Sequence, residues 1–326
     1  MRAARATAFP RHAVVSLGGH GILAGSPYKL LIEFVFLKPP VPNPIARILE
    51  HLAIGARDAA LKLAIPLINS RVPRTGYRLL ADLAYGPEPR QTLDLYVPDG
   101  LTAAAPVLLF FYGGSWQSGS KAIYRAFGEA FAAHGIVTAV ADYRLYPQVK
   151  YPAFIEDGAL AFDFLRKEVR ALDGDPERIV VSGHSAGAYI AAMLAVNAEY
   201  LGAVREAPSA IRGVIGLAGP YDFLPLYDPV LVDIFGGDRV MATQPIKYVR
   251  PGAPPMLLAH GTKDTTVGAG NSRRFAKRLM EAGNAVELIE YKGIGHLGIL
   301  LSLARGLRHR TTLYADMLRF IAKQAP

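Results

Sequence analysis

Cysteine is absent from all 326 residues. Disulfides, thiolate nucleophiles and cysteine metal sites are therefore excluded. Charge is sparse, at 19% against 51% hydrophobic residues, and that balance excludes an intrinsically disordered chain. Glycine (32) and proline (24) stay near ordinary levels, with no low-complexity tract or internal repeat. No run of Lys and Arg with interleaved aromatics occurs, so a nucleic-acid partner is not expected. Long hydrophobic runs are missing too. The longest near the start, residues 21–37, is broken by Lys29 and Glu33. A membrane-spanning helix needs about 20 predominantly apolar residues.

What charge there is lies unevenly. The net charge is +9, and residues 1–75 supply most of it, with ten Lys/Arg against three acids. Arg2, Arg5 and Arg11 precede an apolar stretch as in a signal peptide, but glycines and His20 interrupt it and no clean cleavage site follows. A cytoplasmic location is the expectation. A Pro-rich connector at 39–44 leads to a stretch, 45–68, with apolar residues at helical spacing. Two readings of this N-terminal helical extension stand side by side: a cap packed on the main domain, which we favour, and a peripheral membrane-surface segment.

From residue 76 to 326, short apolar runs alternate with amphipathic stretches, the pattern of a mostly parallel sheet with helices on both faces. This α/β reading predicts strands at 91–97, 107–112, 136–141, 179–182, 213–217, 256–259 and 286–291. It predicts helices at 122–134, 154–172, 186–197, 272–282 and 313–322. The stretch 221–250, rich in Pro, Tyr and Asp, is long enough to be a lid.

Gly183-His184-Ser185-Ala186-Gly187 fits G-x-S-x-G between a predicted strand and a predicted helix. Such a turn exposes the serine hydroxyl beside a helix N-terminus. A serine nucleophile needs a base and an orienting acid. His296 and Asp264 each follow a predicted strand, and in a doubly wound sheet such loops gather on one edge. Asp222, in Gly219-Pro220-Tyr221-Asp222, is the competing acid; His184, His134 and His260 read as structural or as supports behind the catalytic residues. The N–H groups of Gly113, Gly114 and Ala186 are the expected oxyanion donors. Trp116, Tyr189 and Phe223 are the candidates for the substrate pocket, although each fits plain core packing as well. A phosphate-binding loop at Gly114–Lys121 fails on the position of its lysine, and a dinucleotide fingerprint at 183–187 fails on its second glycine.

Four motifs now carry a resemblance: Tyr112-Gly113-Gly114-Ser115-Trp116; Asp142-Tyr143-Arg144-Leu145-Tyr146-Pro147 continuing to Tyr151-Pro152; the serine motif; and His260-Gly261-Thr262-Lys263-Asp264. Over about residues 85–300 the chain resembles α/β-hydrolase carboxylesterases, similar to the hormone-sensitive-lipase-like and feruloyl-esterase-like groups. The resemblance implies a Ser185–His296–Asp264 triad, Arg144, Pro147 and Pro152 as supports, and hydrolysis of small-molecule esters through an acyl-enzyme, with no metal or cofactor. The chain departs at Tyr112, where these groups usually carry histidine. An amide hydrolase with the same triad, arylformamidase-like or peptidase-like, is the alternative activity. A catalytically silent binding module is the alternative of another class.

Overall fold

A computed structural model describes residues 69–326, which fall within one compact unit, Ile65–Pro326. The expectations for residues 1–68, whether cap or membrane-surface segment, lie outside the described residues. The eight strands are β1 (Tyr77–Ala84), β2 (Thr92–Pro98), β3 (Ala105–Phe111), β4 (Val137–Ala141), β5 (Gly174–His184), β6 (Gly213–Leu217), β7 (Met256–Gly261) and β8 (Val286–Tyr291). They form one sheet in the order β1-β2-β4-β3-β5-β6-β7-β8. The β1–β2 and β2–β4 pairs are antiparallel and the rest parallel.

Successive side chains of a strand point to opposite faces. In β4, β6 and β7 every residue is buried, so both faces of the central sheet are covered. That is why these strands read as unbroken apolar runs. Eight helices accompany them among the described residues: α1 (Arg125–Ala132), α2 (Ala153–Glu168), α3 (Ala186–Val196), α4 (Ala198–Ala203), α5 (Pro229–Phe235), α6 (Gly270–Glu281), α7 (His296–Leu301) and α8 (Leu313–Gln324). The innermost is α3, with Ala186 to Ala195 all buried.

All seven predicted strands and five predicted helices are present, with corrections. The predicted helix 122–134 is a 3-10 turn, Lys121–Tyr124, followed by α1, and 154–172 is α2 closed by a 3-10 turn. The sequence pattern marks none of β1, α4, α5 and α7. β1 is an edge strand of mixed burial whose register breaks between Leu80 and Leu83, so neither alternation nor an apolar run marks it. The stretch between β6 and β7 carries α5 and two 3-10 turns, and tyrosines of α3, of the turn before α2 and of the stretch itself tie it down. Tyr189 of α3 donates to the Thr243 carbonyl (2.7 Å), and Tyr151 and Tyr248 both donate to the Ala242 carbonyl (2.9 and 2.8 Å).

Candidate active site

Strand β5 ends at His184 and α3 begins at Ala186, leaving Ser185 to make the turn alone. Its backbone has φ 54° and ψ −120°, a region that L-residues avoid. The turn is possible because the chain closes on itself tightly. A Cβ on Gly183 would lie 2.2 Å from the Gly187 carbonyl carbon, and one on Gly187 would lie 2.0 Å from the Phe111 carbonyl oxygen. Ser185 N–H donates to the Leu217 carbonyl (2.8 Å), which fixes the turn against the end of β6. Ala186 opens α3, so its N–H has no intrahelical partner.

The loop after β3 lies directly alongside. A Cβ on Gly113 would stand 2.8 Å from the Ser185 Cβ, which places that main chain in contact with the serine. Gly114 follows with φ 143°, and its carbonyl accepts from Gln117 and Ser118 N–H (3.0 and 3.1 Å) in a tight turn. Tyr112, the departure from the usual histidine, is fully buried and props this loop. Its hydroxyl donates to Asp142 (2.7 Å) and accepts from Arg90 (2.6 Å), while Arg90 also donates to the Gly119 carbonyl (3.0 Å). Burial, then the neighbouring Tyr143 and Asp142, push the Tyr112 phenol far up, so it stays a neutral donor.

Asp264 follows β7. Its Oδ1 accepts from the N–H groups of Thr266 and Val267 (both 2.9 Å), and its Oδ2 accepts from His296 Nδ1 at 2.7 Å. His260 Nε2 lies 3.2 Å from the same Oδ2, although its closer partner is the Val267 carbonyl at 2.8 Å. Burial alone would raise the Asp264 carboxyl. Hydrogen bonds from His260 and His296, the His296 charge and the Val267 N–H overcome it and hold the group below the usual carboxylate range. With the proton on Nδ1, His296 keeps a lone pair on Nε2, the form a general base requires. His296 was expected in a loop; it is the first residue of α7.

The competing acid is occupied elsewhere. Asp222 pairs with Arg274, and its N–H donates to Asn271 (2.9 Å). Arg144 binds Asp157, which is fully buried. The bonds before Pro147 and Pro152 are cis. The three pocket candidates share one aromatic cluster, with Trp116 ring centroids 5.2 Å from Tyr189 and 6.2 Å from Phe223, joined by Phe154 and Phe235. Tyr189 is fully buried, Trp116 is 3% exposed, and Phe223 is half-buried. Phe154 and Phe235 were not singled out from sequence; their apolar helical spacing marks only core. Among the described residues, no group of three or more His, Asp or Glu converges as metal ligands would.

The BD-FAE family model matches residues 93–279. The chain is 31% identical over 242 residues to a probable isoprenylcysteine alpha-carbonyl methylesterase, ICMEL1, of Arabidopsis thaliana, covering 67% of this chain and 51% of that protein. It is 33% identical to esterase LipC of Mycobacterium tuberculosis, covering 68% and 60%. The chain thus spans only about half to two thirds of these relatives. Among solved structures it is similar to propionate-bound esterase 2 of Thermogutta terrifontis, at 28% identity and TM-score 0.63, over 78% of this chain and 98% of that one.

Proposed function

Because the chain belongs to the BD-FAE family and is an α/β-hydrolase carboxylesterase of the hormone-sensitive-lipase-like type, we propose that it cleaves small-molecule carboxylic esters through Ser185, His296 and Asp264. The observation that carries the reading is the 2.7 Å hydrogen bond from His296 Nδ1 to Asp264, with the His296 carbonyl 3.0 Å from Nε2 of His184, the residue before a serine on a strained strand-to-helix turn. His296 Nε2 takes the Ser185 proton as the hydroxyl attacks the ester carbonyl. The N–H groups of Gly114 and Ala186 receive the oxyanion, each worth a factor of about 10²–10³ in turnover, whereas the N–H of Gly113, the third expected donor, faces the buried Tyr124 hydroxyl. His296 then protonates the departing alcohol, and water, activated by the same imidazole, releases the acid. Asp264, held anionic, fixes the tautomer and balances the imidazolium.

For the substrate, the half-buried Phe223 against Trp116 supports an apolar acyl or alcohol group. Matched relatives include isoprenylcysteine methylesterases by name, and a methyl ester beside a bulky apolar group fits the same wall. The test is titration with a fluorophosphonate followed by peptide mapping, then nitrophenyl esters of increasing acyl length. One equivalent bound on Ser185 with parallel loss of ester hydrolysis is expected. Ester turnover that survives full labelling overturns the mechanism. Faster cleavage of anilides than of matched esters would transfer the reading to amide hydrolysis.

A further inference from the structure

The residue before the nucleophile has a role that the ester mechanism leaves unassigned. His184 is 2% exposed, and its Nε2 lies 3.0 Å from the main-chain carbonyl oxygen of His296. A carbonyl only accepts, so the His184 proton sits on Nε2 and Nδ1 keeps a bare lone pair. The two imidazole rings are 4.7 Å apart and inclined at 43°. Nδ1 is buried without a hydrogen-bond partner. It faces the loop after β3, since a Cβ on Gly113 would stand 2.9 Å from it. One ring therefore touches the base, is covalently joined to the nucleophile and abuts the first glycine of the oxyanion loop.

His296 needs that support. It opens α7, a six-residue helix whose N-cap is Gly295, a residue with no side chain to cap it. Asp264 secures the imidazole through Nδ1, but one hydrogen bond leaves the ring free to swing about it. A second tie, on the main chain of the same residue, fixes where the ring starts. The ionisable groups acting on His184 are His296, Asp264 and His260. Burial first, then the His296 charge, push its pKa down to about 3. The ring is thus neutral through the range in which a histidine base operates, and it places no second positive charge beside the imidazolium.

We infer that His184 is a positioning residue: its Nε2–H holds the His296 main chain next to Ser185, and its unprotonated Nδ1 lets the Gly113 main chain approach the serine. The inference rests on the Ser185–His296 reading above. In consequence, losing the Nε2–H should slow acylation without weakening substrate binding, because the base is displaced while the pocket is untouched.

The experiment compares wild type, His184→Phe, which keeps a ring without the donor, and His184→Gln, which returns an N–H at similar reach. Each is read by steady-state hydrolysis of nitrophenyl acetate and by the rate of fluorophosphonate labelling at Ser185. His184→Phe should lower kcat and the labelling rate together by about 10–100-fold, the scale of a misplacement near 1 Å. KM should stay within about twofold, and His184→Gln should recover most of the loss. Nitrogen-15 NMR of wild-type histidines supplies a readout that needs no variant: His184 should show a bare Nδ1 and a protonated Nε2 at neutral pH. A folded His184→Phe enzyme with wild-type kcat and labelling rate overturns the inference, as does a proton found on Nδ1. Equal losses in Phe and Gln that follow their loss of stability reduce His184 to packing and also overturn it. Wild type that takes no label at Ser185 removes the ester reading and this inference with it; labelling that is equally fast in all three proteins removes the inference alone.

Discussion

The turn after β5 and the long stretch after β6 leave the same edge of the sheet, yet they are held by different forces. In the turn, main chain meets main chain: Gly187 and the Phe111 carbonyl leave no room for a methyl group. In the stretch between β6 and β7, hydroxyls reach up from helices and loops to single carbonyls at Ala242 and Thr243, and Gln244 accepts from Phe223 N–H (2.8 Å). The first kind of constraint dictates residue type and spacing. The second is satisfied by any donor of suitable reach, so it leaves no pattern. On the proposed mechanism, the first kind of constraint is the one that suits a nucleophile, which has to be held to a fraction of an ångström.

The largest effect comes from the chemistry that the turn supports. Ser185→Ala should lower ester turnover by about 10⁶ while leaving the unfolding midpoint nearly unchanged, since only one hydroxyl is lost. Retention of more than a few per cent of activity in a folded variant would show that the turn does not carry the nucleophile. Next in size, Asp264→Asn should cost about 10⁴ in turnover, because an amide nitrogen facing His296 favours the wrong tautomer. Asp222→Asn, which loosens only the pair with Arg274, should change turnover less than about tenfold. Reversed magnitudes would move the acid to the stretch after β6.

Gly187→Ala separates clash from helix propensity. In a helix interior, glycine to alanine ordinarily stabilises by up to about 1 kcal/mol. At Gly187 the new methyl would meet the Phe111 carbonyl oxygen at 2.0 Å, whereas at Gly202 of α4 a methyl meets nothing within 4 Å. The expected outcome is a loss of about 3 kcal/mol at Gly187 and a small gain at Gly202, read by urea unfolding. A neutral Gly187→Ala would mean that the turn relaxes freely.

His184 links the same turn to acid stability. Its folded pKa lies near 3, below the value of about 6.5 expected of the unfolded chain. Between those values the unfolded state binds the extra proton, so the His184 contribution is complete above pH 6.5 and drains away as pH falls toward 3. From pH 6.5 to 5 the loss is about 2 kcal/mol for one proton. His184→Gln should flatten the pH dependence of the urea midpoint by that amount. An unchanged slope would mean that this histidine takes up its proton in the folded state.

The same contrast explains what could be read in advance. The elbow was legible because Gly183, Ser185 and Gly187 answer to backbone geometry at fixed spacing. The buried strands were legible because burial on both faces demands unbroken apolar runs, as in Val107–Phe111. β1 was not, since Tyr77–Ala84 mixes Arg78 and Asp82 with leucines on a half-covered edge. α5 did carry its signals. Asp228 caps Val230 N–H (2.8 Å), Pro229 opens the helix, and Gly236 closes it at φ 72°. Seven residues are too few for periodicity to stand out, and cap residues alone read equally as a loop. α7 was hidden in the same way, a single turn and a half beginning at His296 itself. The aromatic cluster was half legible: the rings were visible, but only tertiary packing decides that Tyr189 is sealed and Phe223 half open.

The smallest effect tests the stretch after β6. Tyr151 and Tyr248 donate to the same Ala242 carbonyl, which has two lone pairs and so can accept both. Removing the Tyr248 hydroxyl leaves the carbonyl partnered and should cost about 1 kcal/mol or less, the net worth of a neutral hydrogen bond, whereas removing that of Tyr151 also takes the acceptor from the Tyr200 hydroxyl, which donates to it at 3.0 Å, and should cost about 2 kcal/mol. Removing both strips it bare and adds the penalty for an unpaired polar group, about 1–3 kcal/mol where water is kept out. Tyr151→Phe combined with Tyr248→Phe should therefore destabilise by more than the two single changes together. The excess, measured by urea unfolding in a double-mutant cycle, should be about 1 kcal/mol. Strict additivity would mean that water reaches the Ala242 carbonyl once a hydroxyl leaves. The stretch would then rest on the surface like an ordinary loop, and its difference from the turn after β5 would be one of solvent access rather than of how the chain is tied.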